Sequence, residues 1–225
     1  MSEESLPPAG TTGSTSIEIG AETVQAQEIA RMSRQIARRY IGDAGPEDRI
    51  RQRCAVAVGD LAMADLLRFC HAPVPAGCAA IRSGAPVITD IRMVQTGILK
   101  KGHTCEIVCA LDHGADIARR DGITRTAAGF QSLADRLTGA VVVIGNAPSA
   151  LITVCDLIHR GATPALVVGT PVGFVNAAES KDLLRTVAVP SISTAGTRGG
   201  TPVAVAAVNE LITMIAGERH AGPGD

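Results

Sequence analysis

The sequence predicts an α/β fold: one domain on a mostly parallel sheet, with helices covering both faces. Three observations lead there. From Thr124 onward, strand-like and helix-like segments alternate regularly. The strand segments "AVVVIG" and "PALVVG" are continuous apolar runs, as strands buried on both faces require. Hydrophobic residues make up 46% of the 225 positions but aromatics only 2%. The core must therefore be Ala, Val, Ile and Leu, which pack well between parallel strands and helices.

The elements follow in order. "AETVQAQEIARMSRQIARRYIG" carries apolar residues at helical spacing with charges between them, which predicts a helix. A second helix starts near Pro46, with Pro, Glu and Asp in its first turn, and runs through "EDRIRQRCAVAVGDLAM". "APVPAGCAAIRSG" is a short helix, "APVITD" a buried strand closed by Asp90, and "CEIVCALD" a strand of β-branched and small residues. Then "TRTAAGFQSLADRL" is helical, "AVVVIG" a strand, "APSALITVCDLIHRG" a helix ended by Gly161, and "PALVVG" a strand. "AAESKDLLRT" is a helix, "PSISTAG" a strand and "TPVAVAAVNELITMIAG" the last helix. The domain is expected over 21–218. The acidic, Ser/Gly/Pro-rich segment 1–20 reads as a mobile tail rather than a signal peptide, and 219–225 as a C-terminal tail.

Composition excludes several classes. A net charge of −1 supplies no basic field for nucleic acid or an acidic membrane, and sparse aromatics offer no stacking platform for single strands. No run of 18 apolar residues lacks Gly, Pro or charge, so no membrane span is expected. Six scattered cysteines with no CxxC pair read as free thiols of a reducing compartment, the cytoplasm, and form no zinc pattern.

In a parallel sheet, ligands bind outside the carboxyl ends of the strands. That singles out "TDIRMVQTG", "GNAPS", "GTPVGFVNAAES" and "AGTRGGTP". "IGNAPSA" joins a strand to a helix through Gly145, Asn146 and Pro148, a helix start whose amides suit a carboxylate. Arg198 adds a guanidinium, and Gly199 and Gly200 leave the backbone accessible; Asn176, Glu179 and Ser180 open another helix. None of these loops has the spacing of GxxxxGK[ST] or GxGxxG. Together they suit a large ligand with several carboxylates, held by amides and guanidiniums. Each loop alone is also ordinary turn-and-cap chemistry. The five histidines, in loops, helix ends or the tail, form no Ser/His/Asp order.

As strings the loops go further. "GAVVVIGNAPSAL", "PALVVGTPVGFVNAAESK", "GTRGGTPVAVAAVNEL", "GAPVITDIRMVQTGI" and "GITRTAA" closely resemble the precorrin-8X methylmutase family of cobalamin biosynthesis, over about Glu28 to Leu211. The resemblance implies a homodimer that binds a precorrin-8X or cobalt-precorrin-8 macrocycle near the subunit interface. It further implies movement of a methyl group from C-11 to C-12 by a sigmatropic shift, with no cofactor and no bound metal. A histidine assists by protonating or hydrogen-bonding a ring nitrogen.

Carried over residue by residue, the resemblance gives Arg125, beside Thr126, the role of meeting a substrate carboxylate and places Ser33 near the ring. Asn146, Glu179, Ser180, Arg198, Gly199 and Gly200 match positions lining the pocket. The family histidine opens a string such as His-Ala-Thr-Ala-Asp. Here the matching string is "VAVGDLAMADLLRFC", with Gly59, Asp60 and Phe69 holding the register and Val56 in the histidine's place. Valine can neither donate nor carry a proton. Three readings stay open: catalysis with another donor such as His71 or His103, corrinoid binding without catalysis, or a different ligand on the same scaffold.

Overall fold

A computed structural model describes residues 23–220. The expected tails therefore lie outside the described residues, apart from the last helix, which runs on to His220. The strands are β1 (Leu67–Cys70), β2 (Val87–Thr89), β3 (Ile107–Cys109), β4 (Val141–Ile144), β5 (Leu166–Gly169) and β6 (Ser191–Thr194). They form one sheet in the order β1-β6-β5-β4-β2-β3. All neighbours are parallel except β1, which pairs antiparallel with β6 at one edge.

The helices are α1 (Val24–Ile41), α2 (Pro46–Val58), α3 (Met63–Leu66), α4 (Pro73–Arg82), α5 (Arg92–Gly97), α6 (Ala115–Asp121), α7 (Arg125–Ser132), α8 (Pro148–His159), α9 (Ala177–Leu184) and α10 (Thr201–His220). Strand side chains alternate between the two faces. Val141, Val143, Leu166, Val168 and Ile192 enter a core with residues of α2, α4, α5 and α10. Val142, Ile144 and Val167 enter a second core with residues of α7, α8 and α9. Burial on both faces is why β4 and β5 read as unbroken apolar runs.

Three features depart from the sequence reading. The second helix does not continue to Met63: Gly59, at φ 65°, caps α2 in the left-handed region and turns the chain into the short α3. "LRFC" is a strand, and "IRMVQTG" and "ADIARRD" contain α5 and α6. Such short segments hold no full hydrophobic period, so their state is decided by what they pair with. The helix expected over 124–137 breaks after Ser132 into a 3₁₀ turn, Ala134–Arg136.

The central helix α10 is buried almost all round and carries three polar residues inside, Asn209, Glu210 and Thr213. Asn209 accepts the amide of Leu99 at 2.9 Å and donates to the carbonyl of Gly97 at 2.9 Å. Glu210, with no exposed side-chain surface, meets Arg34 at 2.8 Å, Arg49 at 2.9 Å and Arg53 at 3.0 Å. This carboxylate ties α1 and α2 to α10, and so sets where the end of α2 stands.

Candidate functional site at the carboxyl edge of the sheet

Every loop singled out in the sequence leaves the carboxyl end of a parallel strand, so the topology gathers them at one edge. Asp90, just after β2, is wholly buried. Its Oδ2 accepts the amides of Asn146 at 2.8 Å and Ala147 at 3.0 Å, and its Oδ1 that of Ile91 at 2.9 Å. The amides before α8 therefore do hold a carboxylate, but it is the protein's own and not a ligand's. Burial holds the Asp90 carboxyl above its ordinary range, and the backbone hydrogen bonds offset only part of that rise. Gly145 is required here because a Cβ would stand 2.8 Å from the Cα of Thr201, at the start of α10.

The β6–α10 loop is pinned from inside. Lys181 of α9 is completely buried. Its Nζ donates to Thr194 Oγ1 at 3.1 Å and to the carbonyl of Arg198 at 2.8 Å, and Thr194 Oγ1 donates to the same carbonyl at 2.7 Å. Burial, together with the nearby Arg185, pushes the Lys181 ammonium down to about 8. Gly199 and Gly200 follow at φ 157° and 110°. The amide of Gly200 donates to the carbonyl of Thr170 at 2.6 Å, so that amide serves the loop itself. A Cβ at Gly199 would lie 2.3 Å from the same carbonyl oxygen. Outward, the Arg198 guanidinium pairs with Asp60 in the α2–α3 turn. That pair brings the end of α2 to this edge, and with it Val56, which is 39% exposed.

Ser33 lies on α1, eight residues before its end at Ile41, and Val56 lies ten residues after Pro46 on α2, across the intervening turn. Its hydroxyl donates to the carbonyl of Ile29 at 2.9 Å. Arg125 opens α7, and its Nη2 donates to the Leu111 carbonyl at 2.8 Å. Thr126 is buried, within 3.4 Å of Thr124, whose hydroxyl meets Ser149 at the start of α8 at 2.8 Å. Asn146 and Glu179 are exposed at the loop ends. Ser180 is buried, with its hydroxyl on the carbonyl of Ala177 at 3.2 Å, so it supports α9 and presents nothing to solvent. Val172, Phe174 and Val175 stand exposed on the β5–α9 loop, Phe174 at 96%.

The two histidines considered as substitute donors are not at this edge. His71 follows Cys70, which pairs with Ser191 at the amino end of β6. It thus sits about 10 Å below the ligand edge, at the rise of an antiparallel strand. His103 precedes β3, and its ring is fully engaged: Nδ1 accepts the amide of Cys105 at 3.0 Å and Nε2 donates to the Leu99 carbonyl at 2.5 Å. Among the described residues, His113, which follows β3 two residues after the Leu111 whose carbonyl holds Arg125, is the histidine the topology does bring to this edge.

Sequence reading passed over Asp90, Lys181 and Thr194. A carboxylate ending the apolar strand "VITD" was the available signal for the first. Lys181 and Thr194 gave none, because a lysine in the last turn of a helix and a threonine ending a strand are usually solvated. All six cysteines are free thiols; burial pushes Cys54 and Cys155 up to about 12, so these two are inert at neutral pH. No three His, Cys, Asp or Glu side chains among the described residues gather as metal ligands, and no described helix is long and apolar enough to cross a membrane.

The edge so built has close relatives. Residues 28–214 match the family model described as precorrin-8X methylmutase. The cobalt-precorrin-8 methylmutase of Methanocaldococcus jannaschii is 39% identical over 213 residues, covering 89% of this chain and all of that protein. A longer protein of Archaeoglobus fulgidus, named cobalamin biosynthesis protein CbiHC, is 39% identical over 194 residues; the match covers 86% of this chain but only 41% of that one. The solved structure of precorrin-8X methylmutase from Thermus thermophilus superposes with a TM-score of 0.78 at 34% identity, over 88% of this chain and all of that one. With the match spanning the whole sheet and every loop at its carboxyl edge, the chain belongs to the precorrin-8X methylmutase family.

Proposed function

We propose that this chain is an isomerase of cobalamin biosynthesis that binds a precorrin-8X or cobalt-precorrin-8 macrocycle at the carboxyl edge and moves a methyl group from C-11 to C-12. The observation that carries this reading is the family match over the complete α/β domain. The edge supports it: Arg125 and Arg198, at opposite ends of the row of loops, suit a ligand with several carboxylates. Arg125 uses one Nη on the Leu111 carbonyl, and its other N–H groups suit a substrate carboxylate. Exposed Phe174 and Val175 suit the apolar face of a flat ring. The shift is intramolecular, so positioning and a proton donor near a ring nitrogen are the contributions the protein can make.

Position 56 sets the rate. With valine there, the protein contributes binding and shape without the family's acid, and turnover is slow. A second reading, corrinoid binding without conversion, is favoured by that one residue. A homodimer is part of the proposal: α1 exposes Val24, Ile29, Met32, Ile36 and Tyr40, and apolar surface of that extent calls for a cover. Six free thiols suit work in the cytoplasm.

The test mixes purified protein with precorrin-8X, follows the visible spectrum, and runs Val56→His alongside. Slow conversion by the wild type and conversion about 10²–10⁴-fold faster by the variant is the expected result. Binding without conversion, with activity appearing only in the variant, establishes the second reading. Absence of binding by both forms overturns the corrinoid assignment.

A further inference from the structure

Lys181 is the least expected side chain in the molecule. It is completely buried, and its two oxygen partners, the Thr194 hydroxyl and the Arg198 carbonyl, are both uncharged. The carboxylate next to it in sequence, Asp182, pairs with Arg185. Withdrawing an ammonium from water without a counter-charge is costly, and an apolar side chain of the same length would pack there without that cost. What the ammonium achieves is local. With Thr194 it places two donors on one carbonyl, at 2.8 and 2.7 Å, and so orients the peptide between Arg198 and Gly199. The next residues are held by the Gly200–Thr170 bond and the close approach of Gly199 to Thr170. With its carbonyl turned inward, Arg198 sends its guanidinium outward to Asp60, on the side where α2 ends.

We propose that Lys181 is a positioning residue for ligand binding: by holding the Arg198 carbonyl it aims the Arg198 guanidinium at a carboxylate of the macrocycle. This rests on the reading of Arg198 as a carboxylate-binding group. The ammonium works through the arginine's backbone and does not touch the ligand. A preorganised guanidinium loses less freedom on binding than one on a loose loop, so loss of Lys181 weakens the grip of Arg198 without removing the arginine.

The experiment titrates hydrogenobyrinic acid, the cobalt-free product of the proposed methyl shift, and separately its fully methyl-esterified form, into the full-length wild type, Lys181→Met, Arg198→Ala and the double variant, following visible absorption. Each single variant is expected to weaken binding of the acid about tenfold. The double variant should be no weaker than the worse single one, because the two residues act on one contact. Affinity for the ester should change less than about twofold in every variant. Additive losses in the double variant, or equal loss for acid and ester, reduce Lys181 to a structural residue and overturn the inference. If Arg198→Ala weakens binding of the acid and Lys181→Met does not, the inference fails and the reading of Arg198 stands. If neither changes it, the reading of Arg198 fails as well. Should Lys181→Met not fold, Lys181→Leu removes the donor with a smaller apolar side chain; a loss of affinity for the acid and not for the ester is the expected result, and wild-type affinity refutes the inference.

Discussion

Replacing Asp90 by alanine removes three hydrogen bonds from the centre of the ligand edge at once. The carboxylate accepts the amides of Ile91, Asn146 and Ala147 at 2.8–3.0 Å from a fully buried position. Hydrogen bonds to a charged acceptor are worth about 1.5–3 kcal/mol each, and a buried amide left without a partner costs about 1–3 kcal/mol. Against this stands the desolvation that lifts the Asp90 carboxyl, and Asn146 is exposed enough for water to replace one bond. The net loss is therefore about 3 kcal/mol, equivalent to a fall in Tm of about 6–12 °C for a domain of this size. Urea unfolding followed by circular dichroism measures the first and calorimetry the second. The loops "ITD" and "GNAP" should also loosen, seen as faster amide exchange at Asn146 and Ala147. A stability change below about 0.5 kcal/mol would refute the reasoning, since it would mean that the two loops hold their shape without the carboxylate.

Three further outcomes follow from the same geometry. Gly199→Ala would place a Cβ 2.3 Å from the Thr170 carbonyl oxygen, and should cost about 1–3 kcal/mol in a thermal melt. Glu210→Ala leaves Arg34, Arg49 and Arg53 without their shared carboxylate; it should cost about 3–5 kcal/mol in urea and expose α1 to limited proteolysis. Lys181 is held down to about 8 when folded, below its unfolded value, so the unfolded chain binds the extra proton in between. Its contribution to stability therefore rises as pH is raised from about 8 through the unfolded value; the charged groups around it are Asp182, Arg185 and the Arg198–Asp60 pair. Comparing wild type with Lys181→Met by urea unfolding at pH 7.5 and pH 9.5 should show the wild type gaining stability relative to the variant at the higher pH, since the buried thiols, which favour the lower pH, act on both proteins alike.

The long apolar segments were legible from the sequence because burial on both faces writes itself as an unbroken run. "AVVVIG", "PALVVG" and the helix from Thr201 are instances, and the loops they imply fell at the correct edge. The four-residue "LRFC" was not legible, because its partner β6 lies far along the chain and no short-range pattern records an antiparallel edge. His71 and His103 had suitable chemistry, but their distance from the edge depends on strand direction and on which atoms already occupy the ring. Asp90 and Lys181 look ordinary as letters. Their weight comes from having no water around them, a property of the packed molecule.

The sequence by itself determined the α/β class, the family resemblance and the presence of valine at position 56, because apolar periodicity and long loop strings are local records. Only the tertiary structure decided that the amides before α8 already hold Asp90, that Ser180 faces inward, and that a buried ammonium orients the loop carrying Arg198. These are relations between residues remote in the chain, fixed by burial and hydrogen-bond geometry once the sheet has assembled.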